Sequence, residues 1–470
     1  PVRHSVCWHR SGRRRRGVSA EVSAVVSSTG YRGAGAVLRP VLALQAALLV
    51  SVVSNLGRIP VFSTGDATNA PLLVNDIAVA IVIAAGLMVA ARNRSLRMDD
   101  VAITAALFAL VGGLSAVAAV PKYGLSGFEL AVSLAYLARW LFYFALYVVI
   151  INTVSRRDVE GVWKALEWML LAFALFGIVQ SLFLPGFAQM VYPDSRVRFD
   201  WDEQGHRLVS TVLEPNIAAA MILLGLLVHL GRLSTGANVA GWKPLVLFTA
   251  LVMTLSRSGA LALLVGGLVI LAARGLSKRV MQFGAALLVL LAVSLPRLIP
   301  FMQQYDKLSF GGSAAGRLVN LAQVLTAFLD SPWIGVGFNT FGFYMERQGV
   351  DRMGLPFQSS DGGLLFAAAM TGVIGVGIYC MMLFAVFRRC RAVWRSPHFT
   401  PDERGLCLGV AAGIAALCAH SLFVNSLFST AVLLPLWALW GLTFAIRTNA
   451  GAEPIPTTGS IPCAVVLTGA

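Results

Sequence analysis

Apolar runs separated by short polar connections repeat along most of the chain. They fall at about 36–56, 71–91, 100–120, 128–152, 163–184, 213–231, 242–256, 258–274, 279–298, 361–387, 405–424 and 429–446. Most are roughly 18–25 residues long, enough for a helix rising about 1.5 Å per residue to cross a hydrocarbon core of about 30 Å. They do not alternate polar and apolar positions, which excludes the strands of a membrane barrel. A segment in lipid must satisfy its own backbone polar groups, and a helix does so. The pattern predicts an all-α polytopic membrane protein of about 12 transmembrane helices. The seventh run is short and ends at Ser256-Arg257, which predicts a helical hairpin with the eighth.

Composition agrees. The chain is 57% hydrophobic and 13% charged, with mean hydropathy +0.76, against about 25% charged residues in a soluble domain. A net charge of +15 on a soluble protein would point to nucleic acid. Here the cations sit in alternate connections: Arg92, Arg94 and Arg97; Arg156 and Arg157; Arg232 and Lys243; Arg274, Lys278 and Arg279; then Arg388, Arg389, Arg391, Arg395 and Arg404. Cytoplasmic loops carry such an excess, so both termini are expected in the cytoplasm of a bacterial inner membrane protein, with no nucleic-acid partner. The run His9–Arg16 reads as a topogenic tail, not a nucleic-acid patch or a leader with a cleavage site. Six scattered cysteines (Cys7, Cys380, Cys390, Cys407, Cys418, Cys463) form no CxxC or Cys/His cluster, so no metal site or cofactor is predicted.

The expected organisation is a basic cytoplasmic tail over 1–35, nine spans over 36–298, an extracytoplasmic loop over 299–360, three spans over 361–447 and a disordered cytoplasmic tail over 448–470. Within the loop, Leu318, Leu321, Ala322, Leu325 and Phe328 recur at helical spacing. They predict an amphipathic helix at the membrane surface, ended by Asp330-Ser331-Pro332. A second outer connection, 185–212, carries Asp194, Arg196, Arg198, Asp200, Asp202, Glu203, His206 and Arg207.

The outer side is poor in topogenic charge, so its arginines need another reason. Arg257 lies at the turn between runs seven and eight, and Arg317 opens the amphipathic helix. A guanidinium fork grips phosphate in two places, and oriented N–H groups at a helix start serve the same task. The alternative for both is snorkelling or local pairing. Arg139 lies mid-span, where charge is costly; Glu129 and Glu167 are its expected partners, and a structural ion pair or a substrate contact would each explain it. Glu214-Pro215-Asn216 opens the sixth span. Glu214 is either a base or sugar ligand, or simply an anion at a helix start. Asp361, opening the tenth span, is either a general base or a cap. His229 and His420 read as packing residues.

Three stretches together resemble the O-antigen ligase and O-antigen polymerase superfamily of bacterial membrane glycosyltransferases. Thr254-Leu255-Ser256-Arg257-Ser258-Gly259-Ala260 is similar to its Ser-Arg turn. Gly316-Arg317 followed by Ser331-Pro332-Trp333-Ile334-Gly335-Val336-Gly337-Phe338-Asn339-Thr340-Phe341 is similar to its arginine helix and Pro-Gly-x-Gly segment. Asp361 to Gly375 is similar to its His-Asn segment leading into Thr-Gly-x-x-Gly, and Glu214-Pro215-Asn216 resembles a Pro-Asn helix start. The resemblance implies an inverting, metal-independent transfer from an undecaprenyl-diphosphate-linked glycan, with Arg257 and Arg317 on the diphosphate. Asp361 or Glu214 would be the base, Arg139, Asn216 and Arg207 further substrate contacts, and membrane lipid and a chain-length regulator the partners. Ligases of the family carry His where this chain has Asp361 and Asn where it has Gly362. That departure favours a polymerase of O-antigen or exopolysaccharide over a lipid A-core ligase. A transporter or flippase is the alternative from another class.

Overall fold

The computed structural model describes residues 39–59, 72–93, 96–191, 206–275, 319–350 and 362–448, with Lys278 and Gln282. Ten of its helices are long and apolar enough to cross a membrane. They are α1 (Pro40–Val50, continued by the 3-10 turn Ser51–Gly57), α2 (Val74–Asn93), α3 (Asp100–Tyr123), α4 (Gly127–Thr153), α5 (Val159–Phe183), α6 (Pro215–Thr235), α8 (Arg257–Arg274), α11 (Gly363–Arg395), α12 (Pro401–His420) and α13 (Thr430–Thr448). Between them lie the shorter α7 (Trp242–Met253), α9 (Val319–Asp330) and α10 (Phe341–Arg347). The chain is an all-α polytopic membrane protein. Apart from Gln282, the expected ninth run, 279–298, lies outside the described residues. One feature the hydropathy pattern does not predict is a two-residue antiparallel pairing of Arg58–Ile59 with Leu72–Leu73 between α1 and α2.

Helix ends follow local code. Asp99 caps α3 by accepting from Ala102 N at 2.8 Å, and α3 stops at Gly124, whose φ of +64° suits glycine. Ser126 with Glu129, and Thr400 with Glu403, form reciprocal capping boxes on α4 and α12. On α3, Leu107, Leu110, Leu114 and Val117 form an exposed apolar stripe, while Val101, Ala105, Phe108 and Gly112 are buried behind it. This is the division expected of a helix with one face on lipid. Helices α6 and α13 are buried almost throughout and form the centre.

Helix α6 meets α12 through a glycine seam. A Cβ on Gly231 would lie 2.4 Å from Gly405 O, and one on Gly409 would lie 2.3 Å from Val228 Cα. Gly405, Gly409 and Gly413 recur every fourth residue, the spacing that lets two membrane helices bring their backbones together.

Helix α11 is broken at Gly372, whose φ of +63° is not helical. The segment Pro332–Gly337 runs alongside the break and takes up the freed backbone groups. Val336 N donates to Ala369 O at 2.8 Å, Gly337 N to Met370 O at 3.2 Å, Val373 N to Pro332 O at 2.8 Å and Ile374 N to Trp333 O at 3.3 Å. From α3, Ser115 Oγ reaches both Ile334 O, at 2.5 Å, and Met370 O, at 2.7 Å. Ser115 lies about 12 Å along α3 from its Tyr123 end, so this loop dips among the helices. Phe338 goes further and stands edge-on to Phe108 at 6.2 Å. The contact needs two glycines: a Cβ on Gly335 would lie 2.2 Å from Met370 C, and one on Gly372 would lie 2.2 Å from Trp333 C.

The ion pairs sort into two ends. Arg156 forks onto Glu403 at 2.5 and 2.8 Å, Arg232 meets Asp402 at 2.5 Å, and Arg388 and Arg389 meet Asp100 at 2.8 and 3.0 Å. These gather the starts of α3, α5 and α12 and the ends of α6 and α11. At the opposite end Lys122 Nζ donates to Asp330 O at 2.9 Å, and Arg347 meets Glu129 at 2.7 Å. The alternation of basic connections therefore matches real spatial grouping. One expectation fails here. Arg139 pairs with neither Glu129 nor Glu167 but with Asp76 of α2, which also accepts from Tyr143 at 2.9 Å. Glu167 is held instead by Lys243 at 2.6 Å. Opposite charges inside lipid find one another across helices, and sequence proximity does not choose the pair.

Gly372→Ala and Gly335→Ala are expected to lower the Tm of the detergent-purified protein more than Ser115→Ala. The serine variant loses one hydroxyl proton shared between two carbonyls, a loss of about 1–3 kcal/mol, whereas the alanine Cβ groups cannot be accommodated. Thiol-dye labelling of the buried Cys390 and Cys407 on heating would measure the order.

Candidate functional site

The hairpin of α7 and α8 turns through Thr254, Leu255 and Ser256. Leu255 has φ +51°, a left-handed conformation that a branched side chain disfavours by about 1–2 kcal/mol. Ser256 caps α8 by accepting from Gly259 N at 3.1 Å. Arg257 follows at the first helical position with its side chain exposed. A cation there stands against the positive end of the helix dipole. An anion held in front of that turn would meet both the guanidinium and the helix N–H groups.

The segment leading to α6 closes on this turn. Leu208 N donates to Met253 O at 2.9 Å, and the buried Arg207 donates from Nε to Thr254 O at 3.0 Å. The same segment is pinned to α5: Gln180 Oε1 accepts from Val209 N at 3.0 Å and Ser210 N at 3.2 Å, and Ser210 Oγ donates to Phe173 O at 2.7 Å. Ser210 and Leu213 also carry positive φ, +49° and +58°. Three of the five non-glycine residues with positive φ among the described residues thus flank this one site. Such strain persists only where surrounding contacts hold it, and it concentrates at functional sites.

Glu214 is the cap of α6. Its Oε1 accepts from Asn216 N at 3.1 Å and Asn216 Nδ2 at 2.9 Å, and its Oε2 accepts from Ile217 N. Burial pushes its carboxyl above the ordinary range, while the Ile217 and Asn216 amides and the nearby Arg207 charge pull the other way. Asn216 Oδ1 accepts from Ser256 Oγ at 2.8 Å, which joins the start of α6 to the start of α8.

The structure therefore brings Arg207, Glu214, Asn216 and the turn of Arg257 together at the end opposite the Arg156 and Arg232 pairs. Arg139 is tied to α2 through Asp76. Arg317 and Asp361 lie outside the described residues. Sequence reasoning overlooked Gln180, Ser256 and Asp76. A glutamine and an aspartate inside apolar runs are signals in themselves; the serine's role depends on a contact between distant segments.

Residues 245–380 match the family model described as O-Antigen ligase. That segment, under a third of the chain, is similar to the O-antigen ligase family. The match lies within a chain that has ten helices long and apolar enough to cross a membrane among the described residues. No curated protein matches it. The matched residues include the Ser256-Arg257 turn, the loop Pro332–Gly337 and the break at Gly372. Arg207, Glu214 and Asn216 precede the match, and the fold carries them onto it.

Replacing Glu214 by Ala removes the α6 cap and should lower stability by about 1–2 kcal/mol, visible as a lower Tm of the purified protein. Glu214→Gln keeps an acceptor oxygen and should lose less.

Proposed function

We propose that this protein polymerises undecaprenyl-diphosphate-linked oligosaccharide repeats, for O-antigen or exopolysaccharide, at the outer face of the bacterial inner membrane. In this reading the arginine-rich end faces the cytoplasm, with both termini, as the positive-inside rule directs. The observation that carries it is the placement of Arg257 at the start of α8, on the opposite end, in a strained turn fixed to the first turn of α6.

The chemistry is a displacement at the anomeric carbon. An acceptor hydroxyl oxygen forms the new glycosidic bond as the bond to the carrier diphosphate breaks, with inversion. Negative charge grows on the leaving diphosphate oxygens, where preorganised donors lower the barrier most. Arg257 and Arg317 supply those donors. The acceptor proton passes to a carboxylate, Asp361 or Glu214. As in the resemblance, the transfer uses no metal.

Ligation of a glycan to lipid A-core is the second reading, favoured by the description of the matching family. A transporter has less support. Transporters commonly bind ions or substrate at the half-helix ends of a broken helix. In α11 the loop Pro332–Gly337 and Ser115 already occupy those groups.

Arg257→Ala and Arg317→Ala should each abolish chain elongation while the protein inserts normally, and Lys should not fully restore it. Glycan ladders from a complemented deletion strain measure this; full-length ladders in either alanine variant would remove that arginine from the mechanism. The deletion strain itself separates the readings. Single repeats on lipid A-core mark a lost polymerase, and long carrier-linked chains mark a lost ligase.

A base must be deprotonated to act, so a raised Glu214 carboxyl would set the acid limb of the rate above the ordinary carboxylate range. Activity should then fall as pH drops through that raised value, and Glu214→Gln should abolish activity at every pH. A Gln variant with native turnover would leave Glu214 as a cap alone.

A further inference from the structure

The turn that carries Arg257 is held from two directions. Arg207 and Leu208 bind Thr254 O and Met253 O on one side. On the other, a single hydroxyl makes two attachments: Ser256 Oγ accepts from Gly259 N to cap α8 and donates to Asn216 Oδ1 to reach α6. The amide of Asn216 is itself oriented. Its Nδ2 donates to Glu214 Oε1 at 2.9 Å, so its oxygen is the atom turned toward Ser256. Between these attachments lies Leu255, in a conformation the turn would leave if released.

We propose that Asn216 is a positioning residue for Arg257: it holds the Ser256 cap, and thereby the strained turn, so that the guanidinium and the first N–H groups of α8 address one anionic group. This rests on the reading of Arg257 as a diphosphate ligand, and it reassigns Asn216 from substrate contact to support. The Oδ1–Ser256 bond links the two helix starts, and it is one sequence-adjacent step from Arg257. A buried side-chain hydrogen bond that sets geometry acts on affinity through placement, so its loss should weaken binding without unfolding the helices.

The test uses the purified full chain in detergent with undecaprenyl diphosphate as the probe. Asn216→Ala and Ser256→Ala should each weaken its Kd by about fivefold to tenfold, with Tm within a few degrees of the native protein. The reciprocal exchange, Asn216→Ser with Ser256→Asn, keeps a hydroxyl facing an amide and keeps a good cap at position 256. It should recover affinity to within about twofold of native. Native affinity in Asn216→Ala overturns the proposal. So does an exchange variant as weak as the single variants, since a direct contact of Asn216 with the ligand would not survive relocation. Should Asn216→Ala not be recovered folded, Asn216→Ser with and without Ser256→Asn makes the same comparison. Arg257→Ala separates the two levels. If it binds the probe like the native protein, the diphosphate reading itself fails; if it loses binding while Asn216→Ala does not, only the positioning role fails.

Discussion

Lipid offers no hydrogen bonds, and that constraint decides the least regular part of this protein. Helix α11 cannot leave helical geometry at Gly372 unless something else satisfies the groups it frees. The loop Pro332–Gly337 supplies a paired backbone, and Ser115 shares its hydroxyl proton between Ile334 O and Met370 O. The loop has the same need and meets it in the same way. Two motifs far apart in sequence, Pro-Trp-Ile-Gly-Val-Gly and Thr-Gly-Val-Ile-Gly, are therefore halves of one joint. Each glycine of closest approach, Gly335 and Gly372, is present because the partner's backbone occupies the space of its missing Cβ.

Much of the fold was legible in the sequence because membrane helices announce themselves by length and hydropathy. The runs at 128–152 and 429–446 become α4 and α13 almost residue for residue, and the short seventh run becomes α7 with its tight turn into α8. The break in α11 was not legible, since Gly372 in an apolar run reads equally as a packing glycine. Pairing was the other blind spot. Which carboxylate meets Arg139 depends on how α2 lies against α4, and neither period nor charge count encodes that. Of the site, the types of residue were readable and their company was not. Arg257 and Glu214 stood out singly, while the Asn216–Ser256 bond joins segments 40 residues apart.

The site itself combines strain with support. Leu213 and Leu255 have positive φ on either side of the Asn216–Ser256 bond, which joins their two segments. An arginine on a free loop would search many positions before meeting its ligand. One at the start of a capped helix, behind a turn that cannot relax, loses little entropy on binding. Under the proposed function, that arrangement suits a charged, membrane-borne substrate.

The seam of Gly231, Gly405 and Gly409 carries a consequence for movement. Two backbones in direct contact cannot slide past each other without collision, so α6 and α12 must travel as one rigid post. The start of α6 bears Glu214 and Asn216, and the far end of the same pair bears the Arg232–Asp402 bridge. Any rearrangement that admits a substrate or expels a product therefore has to be borne by pieces outside this post and the α8 start tied to it, swinging about a pivot that stays put.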